Sequence, residues 1–454
     1  MKIFKNLSLW AGPAYFLILL NIGLWVRDIP DQPDPFSATL QEVIATSPMG
    51  DPKSFATAAI DIAENGWIST PNDWIFNLWP PGFVLLEASI IKVLGPEAPV
   101  ILVLQIFAAL LFSIVLTLLY SLLSENMNRK IAFFLPLVIF AFPVSRVFLL
   151  EPTGLTLGES FSIGFFLTGI LLILRAVRHK AICYAFGAGI CLALAAYFRS
   201  QFEIILHGMT GWGLLLILAI ITTKLSRYRN VIDTKLAGRI ITTMFITLLI
   251  AHIATIPWRY YHWTFQGSSK WVHTSSVTFG NAVQTTEYLE GAGGGFVVAG
   301  GGNLVCRIDP TTCEDFENAQ ALFLKTLLQH PVQWYSMKLD VIGKYWFSSV
   351  ENWSSVSIEA TWIDIIINGV LLVVMMALLY LLFTRKCIVD RSWILLFWIN
   401  ASLFSTYFLI FTVQQFEVRY FYFPKIAGMV MLLILASLYW PQKKEDEPNN
   451  ILAS

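Results

Sequence analysis

The sequence predicts an all-α polytopic membrane protein with about ten transmembrane helices. Hydrophobic residues make up 56% of the 454 residues, and charged residues make up 13%, about half their usual share in a soluble domain. Several uninterrupted apolar runs reach the ~20 residues that a helix needs to cross a bilayer. The 30 basic and 30 acidic residues balance, so no basic surface for nucleic acid is expected. Soluble enzymes and nucleic-acid-binding proteins are therefore excluded.

The candidate spans begin close to the N-terminus. The run 8–26 follows the basic start MKIFK and is longer than the apolar core of a signal peptide, so we interpret it as an uncleaved signal anchor. The other candidates, in chain order, are 99–123, 131–148, 159–175, 181–197, 204–223, 240–258, 361–383, 392–413 and 420–440.

One further apolar stretch, WPPGFVLLEASIIKVLG at 79–95, is short and contains Glu87 and Lys92. If it were counted as a span, the charge bias of every later connection would be reversed. We therefore predict a helix that lies along the outer face of the membrane, with a short tilted span as the alternative.

Basic residues between the spans predict the orientation of the protein. With a cytoplasmic N-terminus, most Lys and Arg residues fall in inner connections, and the short outer turns hold only Arg146, Arg199 and Arg419. The C-terminus is then also cytoplasmic. Two long segments, 27–98 and 259–360, lie at the outer face of the inner or plasma membrane, because irregular backbone is not stable in lipid.

The second outer segment contains two local features. Cys306 and Cys313, in CRIDPTTC, are candidates for a small disulfide loop, because the outer compartment is oxidising. No second Cys or His pair stands near them, so the spacing does not predict a metal site. The stretch 291–302, GAGGGFVVAGGG, lacks the GK[ST] of a phosphate loop, which leaves a flexible linker or a flap over a site.

Charged side chains at a membrane surface indicate function, because their desolvation is costly. Asp51, Glu159, Arg199 and Arg419 come from four separate parts of the chain, and the predicted topology places all of them at the outer face. Glu151 is an alternative to Glu159. Guanidinium groups suit an anionic lipid head group, and a carboxylate suits a proton acceptor.

The order of these motifs resembles the C superfamily of membrane glycosyltransferases, which contains the protein O-mannosyltransferases and the lipid A aminoarabinose transferase. In that family an acid soon after the first span is followed by an aromatic residue and then by a glycine that ends an amphipathic helix. Asp51, Phe55 and Gly66 keep this spacing. The Pro-rich LWPPGF at 78–83 resembles the start of the family's surface helix, and Glu159 resembles the acid that opens the fourth span.

The resemblance continues towards the C-terminus. Arg199, in FRS, matches the basic residue that closes the fifth span of the family. IPWRYYHW supplies Pro257, Trp258 and Arg259 after the seventh span, and the RY that precedes an aromatic-Pro run is matched at 419–420. The chain departs from the family at Pro52, where a second acid commonly stands. We therefore expect no required cofactor, although dependence on a divalent metal stays open.

The resemblance implies a fold like that of the family and an integral membrane glycosyltransferase. Such an enzyme moves a sugar from a polyprenyl-phosphate donor to a lipid, glycan or protein acceptor at the outer face, with inversion. The arginines would stabilise the leaving phosphate, and Glu159 would orient an arginine or hold the acceptor. The implied substrate-binding residues are Glu159, Arg199, Arg259, Arg419 and Tyr420.

Asp51 is the implied general base. An ordinary role as helix N-cap is the alternative, because Asp followed by Pro is a good start signal for a helix. Three earlier acids compete with Asp51 for the role of base: Asp28, Asp31 and Asp34.

The resemblance divides the chain into three regions. Residues 1–258 would form a seven-span catalytic module that includes the outer loop 27–98. Residues 259–360 would form the second outer segment, with its Gly-rich loop and interfacial helices. Residues 361–454 would supply three spans and a cytoplasmic tail.

Two other functions remain open. One is another membrane transferase on lipid-linked glycan, of the O-antigen ligase or polymerase type. The other is a transporter or flippase, which would need ionisable residues near the bilayer midplane. Only His207 and His252 fall inside spans in this way, and we interpret them as hydrogen-bonded packing residues.

Overall fold

A computed structural model of the protein describes residues 7–25, 37–46, 51–66, 75–141, 143–150, 158–225, 234–265, 391–413 and 422–439, with single residues and short pieces between 324 and 376. Several predicted features lie outside the described residues: Asp28, Asp31, Asp34, Glu151, the stretch 291–302, Cys306, Cys313, Arg419 and Tyr420.

The described chain is built from α-helices. They are α1 (Leu7–Trp25), α2 (Leu40–Thr46), α3 (Asp51–Asn65), α4 (Ile75–Leu78), α5 (Gly82–Leu94), α6 (Val100–Leu123), α7 (Arg129–Phe134), α8 (Val138–Ala141), α9 (Pro143–Leu150), α10 (Glu159–His179), α11 (Ile182–Phe198), α12 (Ser200–Leu225), α13 (Thr234–Phe265), α14 (Arg391–Val413) and α15 (Tyr422–Tyr439). Within the described residues, the β-structure is an antiparallel pair of two-residue strands, β1 (Ser349–Val350) and β2 (Val356–Ser357).

Four helices among the described residues are long and apolar enough to span a membrane, namely α6, α10, α12 and α13. Shorter apolar stretches lie in α1, α11, α14 and α15. These helices coincide with predicted spans, so the prediction of an all-α membrane protein is confirmed. The predicted span 361–383 is described at only a few residues, and those residues are helical.

The predicted span 131–148 is broken rather than continuous. It consists of α7, a 3₁₀ turn at Leu135–Leu137, α8 and α9. Pro136 lies in the 3₁₀ turn and Pro143 begins α9, and neither can donate a backbone hydrogen bond to continue a helix. Tyr15 of α1 donates its hydroxyl to the carbonyl of Phe133 over 2.6 Å, which satisfies a backbone group beside the break.

The centre of the bundle is formed by α10, α11 and α13, with α6 against α1 and α10, and α12 against α14. Glycine lets α11 and α13 approach closely. A Cβ added to Gly189 would lie 2.6 Å from the carbonyl oxygen of Thr247, a distance that no side chain tolerates. The hydroxyl of Thr247 donates to the carbonyl of Ala185 over 3.2 Å, one turn away on the same interface.

The first outer segment folds onto one end of this bundle. α3 packs on α5, and α5 packs on α11 and α6. The amphipathic α3 buries Phe55 and a row of alanines against α5, and Gly66 ends it with a backbone φ of +83°. With 13 residues, α5 is shorter than the ~20 residues of a typical span. Its position along the membrane surface stays a prediction.

Candidate active site

Several helix ends meet at one end of the bundle. α10 begins at Glu159, α11 ends just before Arg199, and α12 begins at the next residue. Short connections make these three helices antiparallel neighbours, so the start of α10 lies beside the turn between α11 and α12. A contact between Arg259 and Glu203 brings α13 to the same end. Three predicted site residues, Glu159, Arg199 and Arg259, therefore share one region.

Glu159 and Arg199 form a buried ion pair. Nη2 of Arg199 donates to Oε1 of Glu159 over 3.0 Å, and the two residues are 9% and 5% exposed, respectively. Arg199 has an extended backbone between two helices, and its N–H donates to the carbonyl of Ala195, which ends α11. Nε of Arg199 is buried and has no hydrogen-bond partner among the described residues. The guanidinium thus keeps a donor that a bound oxygen could accept.

The backbone before Glu159 is shaped by a close contact with α5. Gly158 has a φ of +72° and stands directly before α10. A Cβ at this position would lie 2.9 Å from the ring of Phe83. Glycine is required here both by the left-handed backbone and by the aromatic ring, so the surface helix helps to fix the position of the Glu159 backbone.

A chain of aromatic rings joins α3 to the ion pair. Phe55 contacts Phe83 at a centroid distance of 5.6 Å, Phe83 contacts Phe161 at 6.2 Å, and Phe161 contacts Phe198 at 5.5 Å. Phe198 directly precedes Arg199. The aromatic chain therefore links α3 to residues adjacent in sequence to the ion pair.

Asp51 lies on α3, the helix from which the aromatic chain begins. It lies half-buried in the first turn of α3, one helical turn before Phe55. Its position agrees with the helix-start interpretation. A role as base stays a prediction, because the position of an acidic residue in a helical turn does not identify its chemistry.

Arg259 belongs to a second polar cluster, one turn deeper in the bundle. Its Nε donates to Oε1 of Glu203 over 3.1 Å, and Glu203 is buried. His207 Nε2 lies 3.9 Å from the same carboxylate oxygen. The rings of His207 and His252 are 5.5 Å apart. Two arginine–carboxylate pairs thus follow one another along α12.

The hydrogen bonds around His252 determine its tautomer. Thr210 donates its hydroxyl to the carbonyl of Leu206 over 2.9 Å, so the same hydroxyl must accept from Nε2 of His252, also at 2.9 Å. Nδ1 of His252 is then the acceptor that faces both terminal nitrogens of Arg259, each at 3.4 Å. A neutral His252 with its proton on Nε2 satisfies every contact.

Glu203 is a site residue that the sequence reasoning missed. Its signal was present, because Glu203, His207 and Thr210 recur at helical spacing on one face of α12, and Arg199 stands four residues before Glu203. The interpretation of the two histidines as hydrogen-bonded packing residues stays a prediction. Their neighbours include the buried ion pair between Glu203 and Arg259, because His207 lies near Glu203 and His252 faces Arg259.

Glu87, on α5, is a third buried acid among the described residues. It is 1% exposed, and its Oε2 has no hydrogen-bond partner among the described residues. Burial raises the pKa of this carboxyl well above its usual range, because the charged form is desolvated. The folded protein therefore keeps the proton of Glu87 to a higher pH than the unfolded chain does.

Within the described ranges, no group of three or more His, Cys, Asp and Glu side chains is arranged to hold a metal ion. Independence from metal and cofactor stays a prediction, because parts of both outer segments lie outside these ranges.

Neither a family model nor a curated protein sequence matches the chain. Among solved structures, the archaeal oligosaccharyltransferase AglB from Archaeoglobus fulgidus, in complex with an inhibitory peptide and a dolichol-phosphate, is similar to 95% of this chain, with 12% sequence identity and a TM-score of 0.40. The similarity covers 51% of that chain, so the present chain spans about half of its length. Similarity of this degree carries no argument about family or activity.

Proposed function

We propose that this protein is an integral membrane glycosyltransferase that transfers a sugar from a polyprenyl-phosphate donor to an acceptor at the outer face of the membrane. The observation that carries the proposal is the buried Glu159–Arg199 pair under the helices of the first outer segment. A buried arginine with an unsatisfied donor, at the end of a membrane bundle, suits the phosphate of a lipid whose tail stays in the bilayer.

Arg199 and Arg259 supply positive charge near the position where the reaction develops negative charge. When the glycosidic bond to phosphate breaks, negative charge accumulates on the departing lipid phosphate. Arg199 pairs with Glu159, and Arg259 pairs with Glu203, which stands four residues after Arg199 in the chain. We assign Arg199 to the leaving phosphate and Arg259 to its support, and we place Arg419 and Tyr420 with them as further substrate-binding residues.

Glu159 acts as a positioning residue in this proposal. A single hydrogen bond from Nη2 holds the guanidinium of Arg199, which leaves its other edge for substrate. Because both residues are buried, water competes little for the hydrogen bond between them. Exclusion of water also protects the donor from hydrolysis.

Asp51 is the proposed base. The acceptor hydroxyl or amide attacks the anomeric carbon, the bond from that carbon to the phosphate oxygen breaks, and the acceptor proton passes to the Asp51 carboxylate. Attack opposite the leaving phosphate inverts the anomeric configuration. The acceptor belongs to the lipid, glycan or protein class, and the outer face is the proposed side of reaction.

The test uses purified protein in nanodiscs, a panel of polyprenyl-monophosphate sugars, and acceptors of the lipid, glycan and peptide classes. Release of polyprenyl phosphate by the wild type, with an inverted product by NMR, is expected. Asp51→Asn should abolish release, and Arg199→Gln should reduce it at least 100-fold, a typical loss for a removed charge-stabilising donor. Asp61→Asn, on the same helix, is the matched control and should retain activity.

Each outcome of this test has a defined meaning. Release that persists in Asp51→Asn keeps the activity and moves the base to another acid, first to Asp28, Asp31 or Asp34. Absence of release by folded wild type with every monophosphate donor rejects the proposal. Activity on diphosphate-linked glycan alone would instead identify a ligase or polymerase.

One observation favours a transporter as the second candidate. Glu203, His207, His252 and Arg259 form a polar cluster inside helices that are apolar enough to span a membrane. Such clusters are typical of ion and substrate paths. Protein in sealed liposomes separates the two functions, because a flippase would move the lipid-linked sugar between leaflets without release of polyprenyl phosphate.

A further inference from the structure

A cavity opens at the end of the bundle opposite the candidate active site. It has a volume of about 470 Å³ and lies between the turn that joins α10 to α11 and the first turns of α13. α10 has 21 residues, so its two ends are about 30 Å apart. This distance is close to the thickness of a hydrocarbon core, which places the cavity at the other membrane face.

Three cationic side chains line the cavity, namely Lys180, Lys235 and Arg239. Among the described residues no acid lines the cavity, and neither Lys180 nor Arg239 has a carboxylate partner there. Glu125, which contacts Arg178 at 2.9 Å, is not one of the lining residues. Lys180 and Arg239 therefore carry positive charge that a bound anion could balance.

The guanidinium of Arg239 is oriented by a hydrogen bond and keeps a donor for such an anion. Its Nε donates to the carbonyl of Lys235 over 3.2 Å, which fixes the guanidinium along the first turn of α13. Nη1 is buried and has no hydrogen-bond partner among the described residues. Thr242 and Thr243 add hydroxyl groups to the same wall.

The rest of the wall is apolar. Ile182, Ala185 and Ile246 line it, and Ile182 is largely exposed at the bundle surface. A soluble anion would leave these side chains without a partner. A molecule with a phosphate head and a hydrocarbon chain would match both halves of the cavity.

We propose that this cavity binds an anionic phospholipid, with its phosphate between Lys180, Lys235 and Arg239 and an acyl chain along the apolar wall. The site is separate from the proposed catalytic region and does not depend on it. Basic pockets between membrane helices bind anionic head groups in this manner.

The test measures lipid binding to the full chain in detergent by native mass spectrometry. Dioleoyl phosphatidylglycerol should bind at least tenfold more tightly than dioleoyl phosphatidylcholine, and the difference should shrink as salt increases. Arg239→Gln and Lys180→Gly should each weaken binding about fivefold, from the usual contribution of one basic residue. Lys180 has a φ of +58°, so glycine removes the charge without backbone strain.

A steric variant separates the cavity from general charge effects. A Cβ at Gly238 would meet nothing within 4 Å, so Gly238→Leu places a side chain in the cavity without changing charge or breaking α13. It should remove the bound phosphatidylglycerol. Lys130→Gln, an exposed lysine on α7 outside the cavity, is the control and should bind like the wild type.

Three results would overturn the proposal. The first is equal binding of phosphatidylglycerol and phosphatidylcholine by the wild type. The second is unchanged phosphatidylglycerol binding in Gly238→Leu. The third is displacement of the lipid by sn-glycerol 3-phosphate at equal concentration, which would identify a soluble phosphate as the ligand instead.

Discussion

Arg199 donates a hydrogen bond to Glu159 over 3.0 Å across 40 residues of chain, and both side chains are buried where α10, α11 and α12 meet. A charge that is buried in this manner needs its partner, because an isolated ion loses its hydration without compensation. The pair therefore ties the start of α10 to the turn between α11 and α12. Its removal affects both the local fold and the proposed activity.

Loss of one member of this pair is expected to destabilise the protein strongly. Glu159→Gln should lower the free energy of unfolding in detergent by about 3–5 kcal/mol, because it leaves the Arg199 charge unpaired. The double variant Glu159→Gln/Arg199→Gln should lose less than the sum of the two single variants. Glu125→Gln breaks a more exposed pair with Arg178 and serves as the control, with a loss below about 1 kcal/mol. Equal effects at the two sites would contradict the assigned burial.

Thr210 is expected to stabilise the polar cluster through its hydroxyl. Thr210→Val keeps the shape but leaves Nε2–H of His252 without its acceptor, at a cost of about 1–3 kcal/mol. Thr210→Ser keeps the hydroxyl and should restore most of the stability. Nitrogen-15 NMR of His252 should report a proton on Nε2 in the wild type, and a proton on Nδ1 would rule out the assigned network.

Glu87 is expected to make the protein less stable as pH rises. Its pKa in the fold is raised above the usual 4.5, so between these two values the folded state binds more protons than the unfolded state. The free energy of unfolding should fall by at most about 1.4 kcal/mol per pH unit across that window.

Glu87→Gln removes this dependence, because glutamine stays neutral at every pH. The variant should match the wild type below the ordinary carboxyl pKa and exceed its stability at neutral pH. Unfolding curves from pH 4 to pH 8 provide the measurement. A wild-type curve that runs parallel to that of Glu87→Gln would show that Glu87 is charged in the fold.

Gly82 is expected to tolerate no side chain. A Cβ there would lie 2.6 Å from the carbonyl oxygen of Tyr197, so Gly82→Ala forces α5 away from α11 and should cost about 1–3 kcal/mol. Gly211→Ala on α12, where a Cβ meets nothing within 4 Å, is the matched control. It should stabilise the protein by about 0.5–1 kcal/mol in thermal unfolding.

The sequence was most informative where apolar runs are long. Spans such as α6 and α10 follow directly from hydropathy, since each is apolar over the length that a membrane span needs. The break in 131–148 also has a signal in the sequence, because Pro136 and Pro143 cannot donate the backbone hydrogen bonds that continue a helix. A break within an apolar run does not lower its mean hydropathy, so hydropathy alone predicts one continuous span at 131–148.

The hydrogen-bond partners of the charged residues were harder to predict from the sequence. The sequence placed Glu159 and three arginines at one membrane face but did not select Arg199 as the partner, because that choice depends on how α10 and α11 pack. Lys425 is a clearer case. Its Nζ is buried and donates to the carbonyl of Trp346 over 2.7 Å, 79 residues away, and no local pattern indicates such a distant partner.

The broken segment of α7, α8 and α9 bears on the order in which the protein assembles. Its interrupted backbone needs protein neighbours, because lipid offers no hydrogen bonds. α1 and α6 supply some of these neighbours early in synthesis, but α15 covers α8, α9 and the 3₁₀ turn from the far end of the chain. During biogenesis, residues 129–150 therefore lack part of their packing until the C-terminal helices have been synthesised. The N-terminal half reaches its final packing only after those helices have been inserted.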